Sequence, residues 1–228
     1  MAEIPQISED SIESTIAVKA LSEVISDASV SSTEEECPIY VVSEAIDTTL
    51  RQGEIITNVI QIRLEFEEFK KGNLVADQII HPFAIILSQD CDCVQDYGAR
   101  NREPRTTKNE VPSILLGEVH TADWMRNKEN PGKIDSDLWR HVKNNKNERY
   151  QFLERVLPEC DAEGEGLPEL TIDFRRFFSI PTDEFYQRLT IGEAKRRCRL
   201  ISPYLEHLAT RYGYFAQRVA LPQDHTSI

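Results

Sequence analysis

The chemically most versatile side chains of this sequence follow a single apolar run that begins at His81 and ends at Leu87. The next six residues bring together a hydroxyl, an amide, two carboxylates and two thiols: Ser88, Gln89, Asp90, Cys91, Asp92 and Cys93. The apolar run predicts a buried strand, and strands commonly deliver functional side chains at their ends. The first candidate site is therefore this strand end, with binding roles for Gln89, Asp90 and Asp92.

Cys91 is the candidate nucleophile at the strand end. A thiol needs a nearby base to form the reactive thiolate. Three histidines could supply that base: His81, His120 and His207. The alternative is structural, with Asp90 and Asp92 forming a tight turn while one of the two cysteines packs inward as a small apolar residue. The structural alternative is favoured because buried thiols are commonly inert.

Metal binding is the second chemistry that this cluster suggests. Structural zinc sites usually separate paired cysteines by about two to four residues and add a second Cys or His pair at matching spacing. Cys91 and Cys93 are separated by a single residue, and Cys160 and Cys198 each stand alone. We therefore expect no structural metal and no cofactor. The odd total of 5 cysteines indicates reduced thiols and a cytoplasmic protein.

A second candidate binding surface lies on the C-terminal helix, which the sequence predicts to begin after Ser202. The face opposite its apolar stripe carries His207, Arg211, Tyr214 and Arg218. A basic run over residues 195–199 precedes this helix. Together they could hold a phosphate group or an acidic partner. The alternative is a solvated face whose charges pair locally.

The charge of the chain argues against non-specific nucleic-acid binding. The net charge is −13, and residues 1–36 hold nine acidic residues and one lysine. Binding of phosphate groups needs a positive surface. The segment from Thr171 to the end has nine basic and six acidic residues and could supply such a surface locally. No stretch approaches the roughly 18–20 apolar residues of a membrane span, and the N-terminus lacks a secretory signal. We expect a protein partner and no membrane association. The charge argument does not exclude RNA as a ligand.

Apolar spacing predicts the elements that position these residues. Residues 10–28 have helical periodicity and precede an acidic linker ending at residue 36, so this segment either completes the core or docks on a partner. The remainder, residues 37–228, is predicted to form one domain. Strand patterns cover residues 39–42, 53–66, 74–87, 111–120, 149–156 and 170–180. Helical patterns cover residues 136–146, 182–189 and the C-terminal segment. We expect an α+β fold, a barrel-like sheet with N-terminal and C-terminal helices.

Part of this pattern resembles the barrel of PemK/MazF-type toxins. The resemblance is carried by Gly53-Glu54-Ile55, by the long hairpin that follows, and by the strand from Pro82 to Ser88. It covers about residues 50–120 and implies a small, strongly curved β-barrel. It also implies RNA cleavage in which Ser88 acts with a nearby arginine. His81 stands where that family has an arginine before the proline. The remainder resembles uncharacterised bacterial proteins with the same Ser-Gln-x-Cys-Asp strand end.

Two functions of different class follow. The first is a non-enzymatic binding or regulatory subunit of a bacterial stress or defence system, which binds a protein partner through the N-terminal helix and the barrel surface. The second is a PemK/MazF-like endoribonuclease that uses Ser88, with His81 or His120 as acid and base and Arg51 as electrostatic stabiliser. A Cys91-dependent hydrolase or thiol sensor is the third hypothesis.

Overall fold

The computed structural model describes residues 39–44 and 48–218. The helix and linker expected over residues 1–36 lie outside the described residues. The strands are β1 (Tyr40–Val42), β2 (Glu54–Leu64), β3 (Ala76–Ile86), β4 (Ser113–Thr121), β5 (Tyr150–Leu153), β6 (Leu170–Pro181) and β7 (Lys195–Leu200). The α-helices are α1 (Phe66–Lys70), α2 (Asp90–Arg100), α3 (Ala122–Arg126), α4 (Ser136–Lys143), α5 (Thr182–Thr190) and α6 (Tyr204–Ala216).

All seven strands belong to one antiparallel sheet in the order β1-β7-β2-β3-β4-β6-β5. β1 and β5 are its edges, and no strand pairing joins them in the described chain. The sheet is therefore open. The prediction of a strongly curved, PemK/MazF-like barrel is wrong, because a barrel needs its first and last strands to pair. The mixed α and β content is confirmed.

Both faces of the central part of the sheet are buried. Neighbouring residues of a strand point to opposite faces, so Ile55 and Ile85 join one apolar cluster while Ile56 and Ile86 join another. Helix α6 covers the first cluster, to which it contributes Leu205, Leu208, Tyr212 and Phe215. Helices α2 and α5 cover the second cluster, to which they contribute Cys93, Phe185 and Leu189. Burial on both faces explains why the central strands are nearly continuous apolar runs.

Strand β7 lies inside the sheet between β1 and β2, although its sequence is the basic run considered above as a phosphate-binding surface. Two of its arginines are buried. Arg196 pairs with Glu54 at 2.6 Å, and Arg197 pairs with Asp161 at 2.6 Å. Buried charges persist when they are paired and hydrogen-bonded. These two arginines therefore serve the interior of the protein and offer no charge to a ligand.

Gly53 immediately precedes β2 and hydrogen-bonds to β3 and β7. Its N–H donates to the Ile86 carbonyl at 2.9 Å, and its carbonyl accepts from the Leu200 N–H at 3.1 Å. Its φ is +76°, and a Cβ there would lie 2.8 Å from Leu205 Cδ1. Glycine is needed because both the backbone conformation and the close approach of α6 exclude a side chain.

Helices α3 and α4 form an insertion before β5. They pack on that strand through a third apolar cluster that includes Met125, Val142 and Phe152. Asp135 caps α4, since its Oδ1 accepts from the Leu138 N–H at 2.7 Å. No helix within residues 48–218 has the length and apolar character to cross a membrane.

Candidate functional site

The strand end singled out by the sequence is the first turn of helix α2. Gln89 has the extended conformation of an N-cap residue. Asp90 and Asp92 lie in the first turn, where carboxylates interact favourably with the positive end of the helix dipole. Cys93 faces inward and is fully buried, whereas Cys91 is exposed. One cysteine packs inward, as the structural alternative proposed, but it does so from a helix and not from a tight turn.

Arg51 is held at the same corner by Asp90. Its Nε and one terminal nitrogen lie 2.9 and 2.7 Å from the two carboxylate oxygens. The backbone N–H of Gln52 also donates to Asp90, at 3.1 Å. This bidentate pair ties the turn before β2 to the start of α2. Arg51 therefore acts here as a structural residue.

Ser88 is occupied by the sheet. Its Oγ accepts from the Leu115 N–H at 2.8 Å, and its own N–H donates to the Leu115 carbonyl at 3.3 Å. Ser88 follows His81 by seven residues of extended chain, roughly 20 Å at the rise of a β-strand. The structure brings Ser88 close to the Arg51 corner, but it does not bring Ser88 to His81.

The free thiols differ in exposure. Burial, with the charges of Asp90, Asp96 and Asp92, raises the pKa of Cys93 to about 12. The Sγ of exposed Cys91 lies 3.7 Å from Gln89 Oε1 and 3.7 Å from Asp92 Oδ1, and neither partner is a histidine. The expectation of reduced cysteines holds for Cys91, Cys93 and Cys198, whereas Cys160 is disulfide-bonded.

Glu118 lies near both His81 and His120, two histidines whose neighbours the sequence did not predict. Its Oε1 lies 3.8 Å from His81 Nδ1 and 3.6 Å from His120 Nε2. Its Oε2 lies 3.3 Å from an Arg176 terminal nitrogen. The β4–β6 register shifts between Gly117 and Val119, so Glu118 sits at an irregularity of the sheet. Strands β3, β4 and β6 thus assemble one histidine–carboxylate cluster (His81, Glu118, His120 and Arg176).

Aromatic stacking fixes both rings of this cluster. His81 stacks on Phe178 with ring centroids 3.9 Å apart, and its Nε2 lies 3.2 Å from Gln61 Oε1. His120 stacks on Trp124 at 4.0 Å. His120 Nε2 is buried and has no hydrogen-bond partner. It borders a cavity of about 30 Å³, which has room for one or two water molecules.

Burial and charge shift the titration of this cluster. Burial lowers the pKa of His120, and the charge of Arg176 lowers it further against the opposing effect of Glu118. Burial acts to raise the pKa of Glu118, but its interactions with His81, His120 and Arg176 outweigh burial and lower that pKa. Glu118 therefore stays ionised and His120 stays neutral near pH 7.

No prepared metal site is present in the part of the chain that the structure describes, and the arginine of one surface cleft is already paired. No group of three or more His, Cys, Asp or Glu there is arranged to hold a metal ion. A cleft of about 400 Å³ between α2 and α5 is bordered by Arg100. That guanidinium already pairs with Asp96 and Asp183 and donates to the Val111 carbonyl at 3.0 Å. Arg100 is therefore committed to protein groups.

The candidate face of α6 is divided between internal and exposed roles. Arg211 donates to the carbonyls of Asn145, Asn147 and Tyr150 at 2.7, 2.5 and 2.7 Å, which clamps the insertion onto α6. Arg218 is more exposed, lies 3.6 Å from Glu148 and stacks over the Phe215 ring. Burial and the charge of Arg211 lower the pKa of His207. The geometry does not form a joint anion site from these three residues.

Exposed apolar side chains are concentrated in a two-stranded extension of the sheet, which we call the arm (residues 58–82). β2 pairs with β7 over Glu54–Thr57, and β3 pairs with β4 over Phe83–Ile86. Beyond those residues β2 and β3 pair with each other as far as Leu64 and Ala76. Both outer edges of the arm are thus unpaired within the described residues. Helix α1 and the turn after it form the tip of the arm.

The arm concentrates exposed apolar side chains. Fifteen large hydrophobic residues are exposed in the described chain, and seven of them lie in the arm. They are Ile62, Leu64, Phe66, Phe69, Leu74, Val75 and Ile80. Nearly half of the exposed large hydrophobic residues of the described chain therefore lie in this one hairpin. The sequence predicted this hairpin but not its exposed apolar face, although the alternation of Ile60, Ile62 and Leu64 with polar residues was a usable signal.

No family model, no curated protein and no solved structure matches this chain. The resemblance to PemK/MazF-type toxins therefore stays a prediction, and the candidate surfaces are compared by their geometry alone.

Proposed function

We propose that this chain is a binding subunit whose arm docks on a protein partner. The observation that carries the proposal is the exposure of one face of the arm, formed by the uncharged pairs Ile60–Ile80, Ile62–Gln78 and Leu64–Ala76. On this face Ile62, Leu64 and Ile80 are 44, 52 and 61 % exposed. A hairpin of two strands gains little stability in water without further packing. Covering this face would remove apolar surface from water, which contributes a favourable free energy of about 25 cal/mol per Å² buried. Binding is therefore the use that best accounts for it.

The charge of the chain supports a protein partner over a nucleic acid or an anionic membrane. The net charge is −13, and the basic residues closest to the candidate sites are engaged with protein groups. Arg51, Arg100 and Arg211 each pair with a carboxylate or with backbone carbonyls. A polyanion would lose the phosphate contacts that dominate such binding. An apolar docking surface does not need free basic residues.

Site-specific photo-crosslinking tests this proposal. A photoreactive residue at position 64 of the full chain, expressed in cells of its source, should give a discrete protein adduct. The same residue at position 191 is the matched control, because Ile191 is 67 % exposed and lies outside the arm. Ile80→Glu should abolish the adduct from position 64. Absence of any adduct at position 64, or the same adducts from both positions, would refute the arm as a docking surface.

Acid–base cleavage of RNA is a second candidate function, favoured by one observation. His81 and His120 both lie within 4 Å of Glu118, at 3.8 and 3.6 Å, and Arg176 lies on its other oxygen. Two histidines and a cation are the groups that proton transfer at a phosphodiester requires. Purified protein would then cleave RNA, and His120→Ala would lose that activity while Ser88→Ala and the exposed-site control His207→Ala would keep it. Cleavage unaffected by His120→Ala would exclude this candidate.

A further inference from the structure

The outer edge of β2 in the arm carries a row of backbone groups that point away from β3. The Glu65 N–H donates to the Val75 carbonyl at 2.9 Å, so these two residues form a hydrogen-bonded pair of the hairpin. In an antiparallel pair of strands, hydrogen-bonded residues alternate with residues whose N–H and C=O groups point outward. Along the register from Glu65 back into β2, the outward residues are therefore Leu64, Ile62 and Ile60.

This edge has no strand beside it within the residues that the structure describes. β7 is the neighbour of β2 in the sheet, and its pairing with β2 ends where Lys195 lies opposite Thr57. Ile62, Arg63 and Leu64 are all exposed. The outward N–H and C=O groups of β2 thus continue past the end of β7 and meet no backbone partner in the described chain.

The outer edge of β3 is less suited to pairing. Natural edge strands are commonly protected by proline, which has no N–H to donate. Pro82 lies in the part of β3 that does not pair with β4. The part of β2 beyond Thr57 contains no proline, and its single charged residue, Arg63, pairs with Asp77 at 3.4 Å. The β2 edge therefore offers the more continuous row of donors and acceptors.

An extended chain is the structure that can satisfy such a row. Its N–H and C=O groups face one side at every second residue, which is the period of the outward groups at Ile60, Ile62 and Leu64. A helix uses these groups internally and cannot pair with the edge. Residues opposite one another in paired strands share a face. Every second side chain of an added strand would therefore extend the uncharged face of the arm, where apolar residues fit.

We propose that the partner docks by strand addition: an extended segment of another protein, apolar at every second residue, pairs antiparallel with the outer edge of β2 at Ile60, Ile62 and Leu64. This rests on the proposed function, since it states the chemistry of the partner that the arm binds. In this mode of recognition the main-chain hydrogen bonds supply affinity, and the alternate side chains supply specificity. The added strand lies in line with β7 and continues the antiparallel sheet along the arm.

Binding of a synthetic peptide to the full chain tests the inference. The probe is a dye-labelled peptide of about seven residues, a common strand length, that alternates isoleucine and threonine. Fluorescence anisotropy measures its binding. The matched control is the same peptide N-methylated at its isoleucine amides, which face the arm when the isoleucines lie opposite Ile60, Ile62 and Leu64. The unmodified peptide should bind, and the N-methylated peptide should not.

Two variants at one position probe the edge from the side of the protein. Ile62→Pro removes an outward N–H and leaves the amides that pair with β3 in place, so it should weaken peptide binding at least about fivefold. Ile62→Val keeps the N–H and should bind like the wild type. Circular dichroism shows whether both variants are folded, and the N-methylated peptide tests the same hydrogen bonds without any substitution.

Amide hydrogen exchange of the full chain examines the edge directly. Without peptide, the amides of Ile62 and Leu64 should exchange faster than those of Gln61 and Arg63, which pair with β3. The peptide should slow the exchange of Ile62 and Leu64. Equal protection of all four amides before the peptide is added would show that the edge is already covered, and would overturn the inference.

The outcomes separate strand addition from the proposed function. Strand addition is overturned when the unmodified peptide does not bind, when both peptides bind equally, or when Ile62→Pro and Ile62→Val bind the peptide equally. A protein adduct from position 64 that persists in Ile62→Pro also overturns it, but leaves docking through the apolar face of the arm standing. Absence of both the adduct and peptide binding refutes both proposals.

Discussion

Glu54 and Arg196 form a buried bidentate ion pair that joins β2 to β7, with nitrogen–oxygen distances of 2.6 and 2.9 Å. Their side chains are 1 and 2 % exposed. The same guanidinium also donates to Thr48 Oγ1 at 2.9 Å and to the Thr49 carbonyl at 3.0 Å. This pair accounts for a charged strand in the interior of the sheet.

Removing one partner of this pair should strongly destabilise the protein. Glu54→Gln or Arg196→Met leaves a buried charge without its counterion, and we expect a loss of about 3–5 kcal/mol in the free energy of unfolding. The measurement is chemical denaturation. The double variant Glu54→Gln/Arg196→Met should recover most of the loss, and a double variant whose loss equals the sum of the single losses would contradict the coupling.

Ser88 should prove to be a structural residue. Ser88→Ala removes the acceptor of the Leu115 N–H at 2.8 Å and should destabilise the chain by about 1–3 kcal/mol. Ser88→Thr keeps a hydroxyl and serves as the control. Thermal unfolding measures both. An unchanged stability of Ser88→Ala would show that this hydrogen bond contributes nothing and would return Ser88 to the catalytic candidates.

Stability should fall on mild acidification because of His120. Its pKa is lowered by burial, so between its folded pKa and 6.5 the unfolded chain binds a proton that the folded chain does not. The stabilising contribution of neutral His120 is therefore complete at neutral pH and is lost progressively as the pH falls below about 6.5. Denaturation of His120→Gln between pH 7.5 and 5, approximate bounds set by the ordinary histidine pKa, should show a shallower slope.

Two comparisons isolate this effect. His207 also has a lowered pKa, so His207→Gln should remove a separate part of the same slope. Glu118, whose pKa is lowered from 4.5, contributes stability that is lost only as the pH falls below that value. A pH dependence that is identical in wild type and His120→Gln would contradict the assigned role of His120.

Alkylation should distinguish the free cysteines. Cys91 is exposed, whereas burial raises the pKa of Cys93 to about 12 and also raises that of Cys198. Iodoacetamide at mildly alkaline pH should therefore label Cys91 first among these three thiols, since the thiolate is the reactive form. Peptide mass spectrometry reads the sites, and denatured protein gives the control in which all three react. Equal labelling of Cys93 in the folded chain would contradict its burial.

The elements that sequence predicted well are those whose apolar pattern is local. The strands at β2, β3, β4 and β6 were found because they are long β-branched or apolar runs, and α6 because its apolar residues recur at helical spacing. Helix α2 was missed. Its first residues, Asp90 to Cys93, have the composition of a turn, and helix formation there depends on burial of Cys93 and Ala99 against the sheet.

The candidate site was recognised in part. His81 and His120 were named as alternative acid–base residues, but Glu118 and Arg176 were not named, because a carboxylate in a strand has no local signature of its neighbours. The Ser88–Cys93 cluster attracted attention through composition alone. In the structure, residues of this cluster form the start of helix α2, and Asp90 binds Arg51. The other candidates lie apart from one another, since Ser88 bonds to Leu115, Cys91 is exposed and Cys93 is buried.

The sequence by itself determined most of the strands, the C-terminal helix, which of these runs are buried, and that the chain is acidic, since composition and periodicity are properties of neighbouring residues. Only the tertiary structure decided strand order, the openness of the sheet, the burial of Arg196 beside a residue 142 positions away, and the isolation of the arm. The physical reason is that pairing, burial of charge and exposure of an edge depend on distant partners. The alternating pattern of Ile60, Ile62 and Leu64 fits a strand whose apolar face is buried and equally fits one whose apolar face is exposed. Which of the two forms depends on whether another element packs on that face.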